Sequence, residues 1–209
     1  MKAFGLHTGI ACPIDAINVD TDQILPARFL QKRRLDPSYQ DFLFYDLRFS
    51  SNGVKKFGFP LNKTEFKSAS ILVCNSNFGG GSSREAAAFA LDAFGIRCVI
   101  APNFGDIFYT NCIKNGILPI VLSKEDVKQI RGLLHDKPST KIQINLKEQL
   151  VICPSESVFQ FTISEFDKTN LLTGLSQIEL TMKHVKSIDA FEKLYRERRY
   201  WVNDAIEVK

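Results

Sequence analysis

The stretch from Ile71 to Ala93, ILVCNSNFGGGSSREAAAFALDA, constrains the fold more than any other part of the sequence. It reads as an apolar run, a turn of three glycines, and two serines opening a helix. Ile71, Leu72, Val73 and Cys74 have the unbroken apolar character of a short buried strand. Gly79, Gly80 and Gly81 supply a turn that a ligand can approach with no side chain in the way. From Ser82 the pattern turns helical, with Ala86, Phe89, Ala90 and Ala93 at i, i+3, i+4 and i+7, the stripe of a helix lying on a sheet. A helix start there would expose unpaired N–H groups and a partial positive charge, a natural seat for a carboxylate or phosphate.

A plainer reading stands beside this one. Ser82 followed three residues later by Glu85 is a capping box, which stabilises a helix start and implies no chemistry. The company is what points to a ligand: three glycines before it, a second serine at Ser83, and Arg84, a fixed cation with bidentate geometry. A triphosphate loop would end in G-K-[ST], and a dinucleotide fingerprint would read G-x-G-x-x-G; neither occurs here. The residues alone therefore give a small carboxylate or phosphate site, with catalysis open.

The 209 residues, 44% hydrophobic and 24% charged, suit a soluble globular chain of one large domain or two small ones. The net charge of +4 is spread out, apart from short groups at Lys32, Arg33, Arg34 and at Arg196, Arg198, Arg199. No nucleic-acid-binding signature accompanies them, so they read as solvated faces. No segment approaches the roughly 18 apolar residues of a membrane span, and MKAFGLHTGIACPID lacks the apolar segment of a signal peptide, so a cytoplasmic location is expected. The five cysteines, Cys12, Cys74, Cys98, Cys112 and Cys153, include no C-x-x-C pair. They are expected to be reduced thiols, with no metal held by this chain alone.

Along the chain, a strand is expected within Phe4 to Ile14, then a polar loop DAINVDTD at 15–22 whose aspartates mostly serve turns. Pro26 and Pro37 bracket a segment in which Arg28 sits beside Phe29 and Leu30. The aromatic-rich stretch 38–67 is irregular and long for a connection, a cover, a partner surface or part of the core. Strands at 97–101 and 117–122 flank a helix ending at Gly116, and Ser123 caps a helix to about Leu134. Three short strands, KIQINL, QLVICP and VFQFTI, follow with hairpin-like joins. Helices are expected from Ser164 to about Leu172 and from Met182 to Arg199. The class is α/β, with antiparallel hairpins in a mixed sheet.

Three segments together resemble one known family. NVDTDQILPARFL at 18–30, NFGGGSSREAAAFAL at 77–91 and CVIAPNFGDIFYTNCIKNGILPIVL at 98–122 are similar, in order and separation, to the small subunits of 3-isopropylmalate dehydratase, free-standing relatives of the aconitase swivelling domain. GSSRE is the most specific element. Two positions depart from the pattern: many members have cysteine at the position of Gly80 and histidine at that of Ala86. Neither departure replaces a serine or the arginine.

The resemblance implies a swivelling β/β/α domain of the aconitase type spanning 1–209 as a single domain, with flanking helices. It implies a large partner subunit carrying a four-iron, four-sulfur cluster, in a heterodimer or heterotetramer, and a small dicarboxylate substrate. The implied reaction removes water from 2-isopropylmalate and returns it in the other orientation, a step of leucine synthesis. Ser82 is implied as the base, acting as an alkoxide stabilised by nearby fixed dipoles and charge. Ser83 and Arg84 would hold the substrate carboxylate, and Thr21 and Asp22 correspond to the family's T-D signature, with Asp22 orienting the arginine or the substrate. Arg28, Phe29 and Leu30 correspond to the loop lining the pocket for the variable group, with 2-methylmalate and homocitrate as the alternative substrates.

Overall fold

The computed structural model describes residues 1–154, 157–199 and 201. It divides into two compact units, Met1–Gly174 and Leu175–Lys209. The first unit begins with β1 (Leu6–Ile14), then α1 (Thr21–Ile24), α2 (Tyr45–Arg48), β2 (Ala69–Cys74) and α3 (Ala86–Phe94). It continues through β3 (Cys98–Ala101), α4 (Asp106–Lys114), β4 (Leu118–Val121) and α5 (Lys124–Asp136). The strands β5 (Lys141–Asn145), β6 (Leu150–Ile152) and β7 (Val158–Gln160) and the helix α6 (Glu165–Thr173) complete it.

These strands form one sheet in the order β4-β3-β2-β1-β5-β6-β7. From β1 to β4 neighbours run parallel; from β1 through β5, β6 and β7 they run antiparallel. β1 is thus the seam between two kinds of sheet, as the mixed pattern of the sequence implies.

The sheet is buried on both faces because its central strands are apolar where they cross the core, at 10–14 in β1, 71–74 in β2 and throughout β3. Along β2, Leu72 and Cys74 enter the core shared with Ala87, Ala88, Leu91, Phe44, Phe78 and Phe108, while Ile71 and Val73 enter the opposite core with Val127, Ile130 and Leu134. Each fully buried side chain of this size contributes about 1.5–3 kcal/mol. The stretch 38–67 is anchored in the core by Tyr39, Leu43, Phe44, Leu61 and Phe66, while 51–58 is exposed, Phe57 at 74%.

Two expectations, both about α3, are corrected. The helix expected from Ser82 begins at Ala86, with Glu85 in the cap position and no side-chain cap. Its buried residues are Ala87, Ala88, Ala90 and Leu91, and Ala93 faces solvent. Near the C-terminus, the second unit holds a helix that was not expected, α7 (Gln177–Met182), followed by α8 (Val185–Arg198) where a helix was expected over 182–199. Ser176 and Glu179 form a capping box that starts α7, visible in the sequence as S-x-x-E. Among the described residues no helix is long and apolar enough to cross a membrane.

Candidate active site

Three loops leave the carboxyl ends of the parallel strands β1, β2 and β3, the end where α/β sheets collect ligands. Here their backbones continue the sheet beyond the strands. Gly79 N donates to Val19 O at 2.6 Å and Thr21 N to Gly80 O at 3.0 Å, tying the first loop to the glycine turn. Phe78 N donates to Asn103 O at 3.2 Å and Gly105 N to Phe78 O at 3.0 Å, tying the third loop to it. Asparagine side chains fasten the same pile: Asn77 N donates to Asn103 Oδ1 (2.6 Å) and Asn77 Nδ2 to Asn18 Oδ1 (3.0 Å).

Two glycines are dictated by this packing. Gly79 has φ +74°, and a Cβ there would lie 2.3 Å from the Phe108 ring. At Gly105 a Cβ would lie 2.6 Å from the carbonyl oxygen of Gly79. Gly80 is different: its Cβ would meet only the Asn77 side chain, at an ordinary 3.4 Å, so the turn accommodates a side chain at that position.

The segment 82–85 is held open rather than wound into α3. Ser82 N donates to the Thr21 hydroxyl at 3.2 Å, and that hydroxyl lies 3.4 Å from Ser82 O. From α4, Asn111 Nδ2 donates to Ser83 O at 3.3 Å and Asn115 Nδ2 to the Glu85 carboxylate at 2.8 Å. The capping box cannot form because Thr21 takes the Ser82 N–H and Asn115 takes the Glu85 carboxylate. Consequently Ser82 and Ser83 are exposed, and among the described residues their hydroxyls have no partner. The backbone N–H groups of Gly81, Ser83 and Arg84 likewise meet no acceptor among the described residues. Such a run of free loop N–H groups supplies the anion-binding character that the sequence assigned to a helix start.

Arg84, its side chain three-quarters buried, places Nη2 3.0 Å from Asp22 Oδ1, and that oxygen also accepts from Ala27 N at 3.0 Å. With Asp22 more than half exposed, the pair adds only about 0–1 kcal/mol of stability. Its effect is on direction: it fixes one edge of the guanidinium. A cleft of about 160 Å³ beside this segment is lined by Gly79, Gly81, Ser82, Gly105, Asp106 and Phe108, among others.

The sequence-predicted residues fall into two groups. Thr21, Asp22, Ser82, Ser83 and Arg84 come together, although Thr21 is buried and spends its hydroxyl on Ser82. Arg28, Phe29 and Leu30 follow α1 on the next turn. Both Nη atoms of Arg28 bind the Asp46 carboxylate, with Nη1 to Oδ2 at 3.0 Å, and the hydrogen bond holds that carboxyl below its ordinary range. Phe29 stacks on Phe42 with ring centroids 4.3 Å apart, leaving Leu30 as the exposed apolar group at 41%.

Sequence reasoning missed Asn111, Asn115 and Gly105. The two asparagines lie one helical turn apart in DIFYTNCIKNG, and that i, i+4 spacing of buried amides was the available signal. For a metal the chain offers little: among the described residues no group of three or more His, Cys, Asp or Glu could hold one. All five cysteines are free and buried, and burial pushes their thiols upward, Cys153 to about 11. These residues do not fit an iron-sulfur cluster.

Comparison with known proteins converges on the same segments. Residues 1–125 match the family described as the aconitase C-terminal domain. The 3-isopropylmalate dehydratase small subunit of Brevibacillus brevis is 43% identical over 192 residues, covering 92% of this chain and 98% of the relative. That of Leptospira interrogans is 40% identical over 204 residues, covering 97% and 98%. A crystal structure of 3-isopropylmalate dehydratase from Methanocaldococcus jannaschii is similar with a TM-score of 0.62 and 25% identity, over 90% of this chain and 99% of that one. With the glycine turn, the two serines and the Asp22-paired arginine at the heads of its parallel strands, the chain belongs to the family of 3-isopropylmalate dehydratase small subunits, within the aconitase C-terminal domain family.

Proposed function

We propose that this chain works as the small subunit of a 3-isopropylmalate dehydratase in leucine synthesis, a hydro-lyase whose iron-sulfur cluster is carried by a large partner subunit. In this reading Ser82 Oγ removes the proton from the carbon beside a substrate carboxylate. Arg84 and Ser83 hold that carboxylate, and Asp22 keeps the Arg84 guanidinium turned toward it. The single observation that carries the reading is the exposed Ser82 hydroxyl, without a partner among the described residues, beside backbone N–H groups equally free among them and an oriented arginine. A serine can take up a proton only after giving up its own, and fixed dipoles and charge that stabilise the oxyanion make that form accessible; this segment collects both.

The small cleft also supports a half-site. About 160 Å³ falls short of the roughly 300–1,000 Å³ of a complete ligand pocket, which suits a chain that closes over a partner. Heterodimer or heterotetramer, the assembly is assigned to the cytoplasm. The isopropyl branch is favoured because Arg28 is committed to Asp46, leaving Leu30 as the exposed apolar side chain on that turn. Each methylene separates such substrates by only about 1–3 kcal/mol, so slow use of 2-methylmalate, two carbons smaller, is expected.

The test is reconstitution with the large subunit and measurement of turnover on 2-isopropylmalate, 2-methylmalate and homocitrate. The isolated chain should contain no iron and turn over none of them. In the reconstituted enzyme Ser82→Ala should lower kcat by about 10²–10⁴-fold, the worth of a positioned base, with the melting temperature unchanged. Near-normal turnover by Ser82→Ala would remove the assignment of the base, and a preference for homocitrate would remove the leucine-pathway reading.

A further inference from the structure

A second cationic site lies in the 38–67 stretch, where the proposed chemistry makes no use of it. Arg48, the last residue of α2, is only 5% exposed and has no carboxylate within ion-pair reach among the described residues. Its donors can be counted. Nε donates to Asn62 Oδ1 at 3.2 Å, and Nη1 to the carbonyls of Gln40 (3.2 Å) and Leu43 (3.1 Å). The two hydrogens of Nη2 meet no acceptor among the described residues. The faces of Phe49 and Phe94, each 5.1 Å from the guanidinium carbon, compensate part of the charge. Neutral carbonyls and ring faces are a thin substitute for an anion, since a buried charge is costly unless paired.

Arg48 lines a cleft of about 470 Å³ with Lys55, Lys63, Lys67, Phe57 and Phe94. None of the three lysines is in an ion pair among the described residues, and Asp41 is the one carboxylate in the lining. The local balance is four cations to one anion, which calls for a multiply charged ligand. The volume exceeds what two phosphate groups fill, and Phe57, 74% exposed, offers an uncovered ring beside the cations.

We propose that the cleft over Arg48 binds a small diphosphate-bearing anion that carries a flat group, of the nucleoside diphosphate class. Phosphate oxygens take the Nη2 donors of Arg48 at the buried end, and Lys63 and Lys67 neutralise the remaining charge. The flat group lies on Phe57. The site is separate from Arg84 and stands whether or not the role given to Ser82 holds.

Titration calorimetry of the full chain, at fixed ionic strength, tests it with inorganic diphosphate and ADP as probes. Saturable one-to-one binding of both is expected, with ADP at least threefold tighter. The double variant Lys63→Ala/Lys67→Ala, made at surface positions so that the buried Arg48 contacts survive, should weaken both by tenfold or more. Arg84→Ala should leave both unchanged. Non-saturable heats, equal affinity in the lysine variant, or loss of binding in Arg84→Ala would overturn the site; ADP binding no tighter than diphosphate would overturn the flat group.

Discussion

The two halves of the sheet share one strand and behave differently. In the parallel half every strand ends at the same edge, so the loops after β1, β2 and β3 arrive together and can bond to one another. In the antiparallel half successive strands end at opposite edges, and the bonds made by the β5–β6 join stay within that half: Phe161 N donates to Gln149 O at 3.0 Å and Ile163 N to Gln149 Oε1 at 3.1 Å. The proposed chemistry therefore falls where connections are forced side by side, and the other half serves as a wall that keeps β1 in place. The comparison predicts that substitutions in the parallel half's loops will change turnover or folding out of proportion to their size, while equivalent changes in β5 to β7 will follow buried volume alone.

The largest effect should come from Gly79→Ala. A left-handed backbone for a residue with a Cβ and a 2.3 Å approach to Phe108 together cost about 2–5 kcal/mol, visible as a drop in the denaturation midpoint. A wild-type midpoint would mean that the loop pile is loose. Next is Asp22→Asn, which leaves Arg84 without its ion pair. Misorientation of a binding cation should lower kcat/KM about 10–100-fold with little change in stability. If only stability moved, Asp22 would belong to the scaffold. In the antiparallel half, Ile144→Val removes one buried methylene from β5 and should cost about 0.5–1.5 kcal/mol, with kcat unchanged. A kcat effect there would break the division of labour between the halves.

The smallest effect belongs to the seam itself. His7 on β1 donates or accepts across to Ser70 Oγ at 2.8 Å, and burial, then the nearby charges of Arg97 and Lys2, holds its imidazole below the ordinary 6.5. Between those two values the unfolded chain binds more protons than the native one. The contribution is thus complete above pH 6.5 and lost as pH falls through the native value. Melting temperatures measured from pH 7.5 to pH 5.5 should fall less steeply for His7→Gln than for the wild type.

How much was legible follows from what each signal depends on. Strand and helix positions in the parallel half depend on local apolar runs, and β2, β3, β4, α4 and α5 lie where periodicity and caps put them. The start of α3 was not legible. Ser82 and Glu85 make a capping box on paper, but their groups go to Thr21, 61 residues away, and to Asn115, 30 residues away. Local pattern cannot rank a local bond against a distant one. The same reason hid Gly105, whose need for glycine comes from the carbonyl of Gly79. The residues that bear the proposed chemistry were visible as a motif; the side chains that pose them were not.

The seam strand also bears on how the chain acquires its structure during synthesis. β1 can pair with β2 once residue 74 has emerged, and the parallel half is complete in outline by residue 121. The other edge of β1 waits for Lys141–Asn145, its partner more than 130 positions away at the far end of the register. Throughout that interval a nascent chain presents an unpaired strand edge, Leu6 to Ile10, to anything nearby that can add a strand. Slow translation of residues 122–145 should therefore raise aggregation, and a shorter delay should suppress it, with no change in the stability of the finished protein.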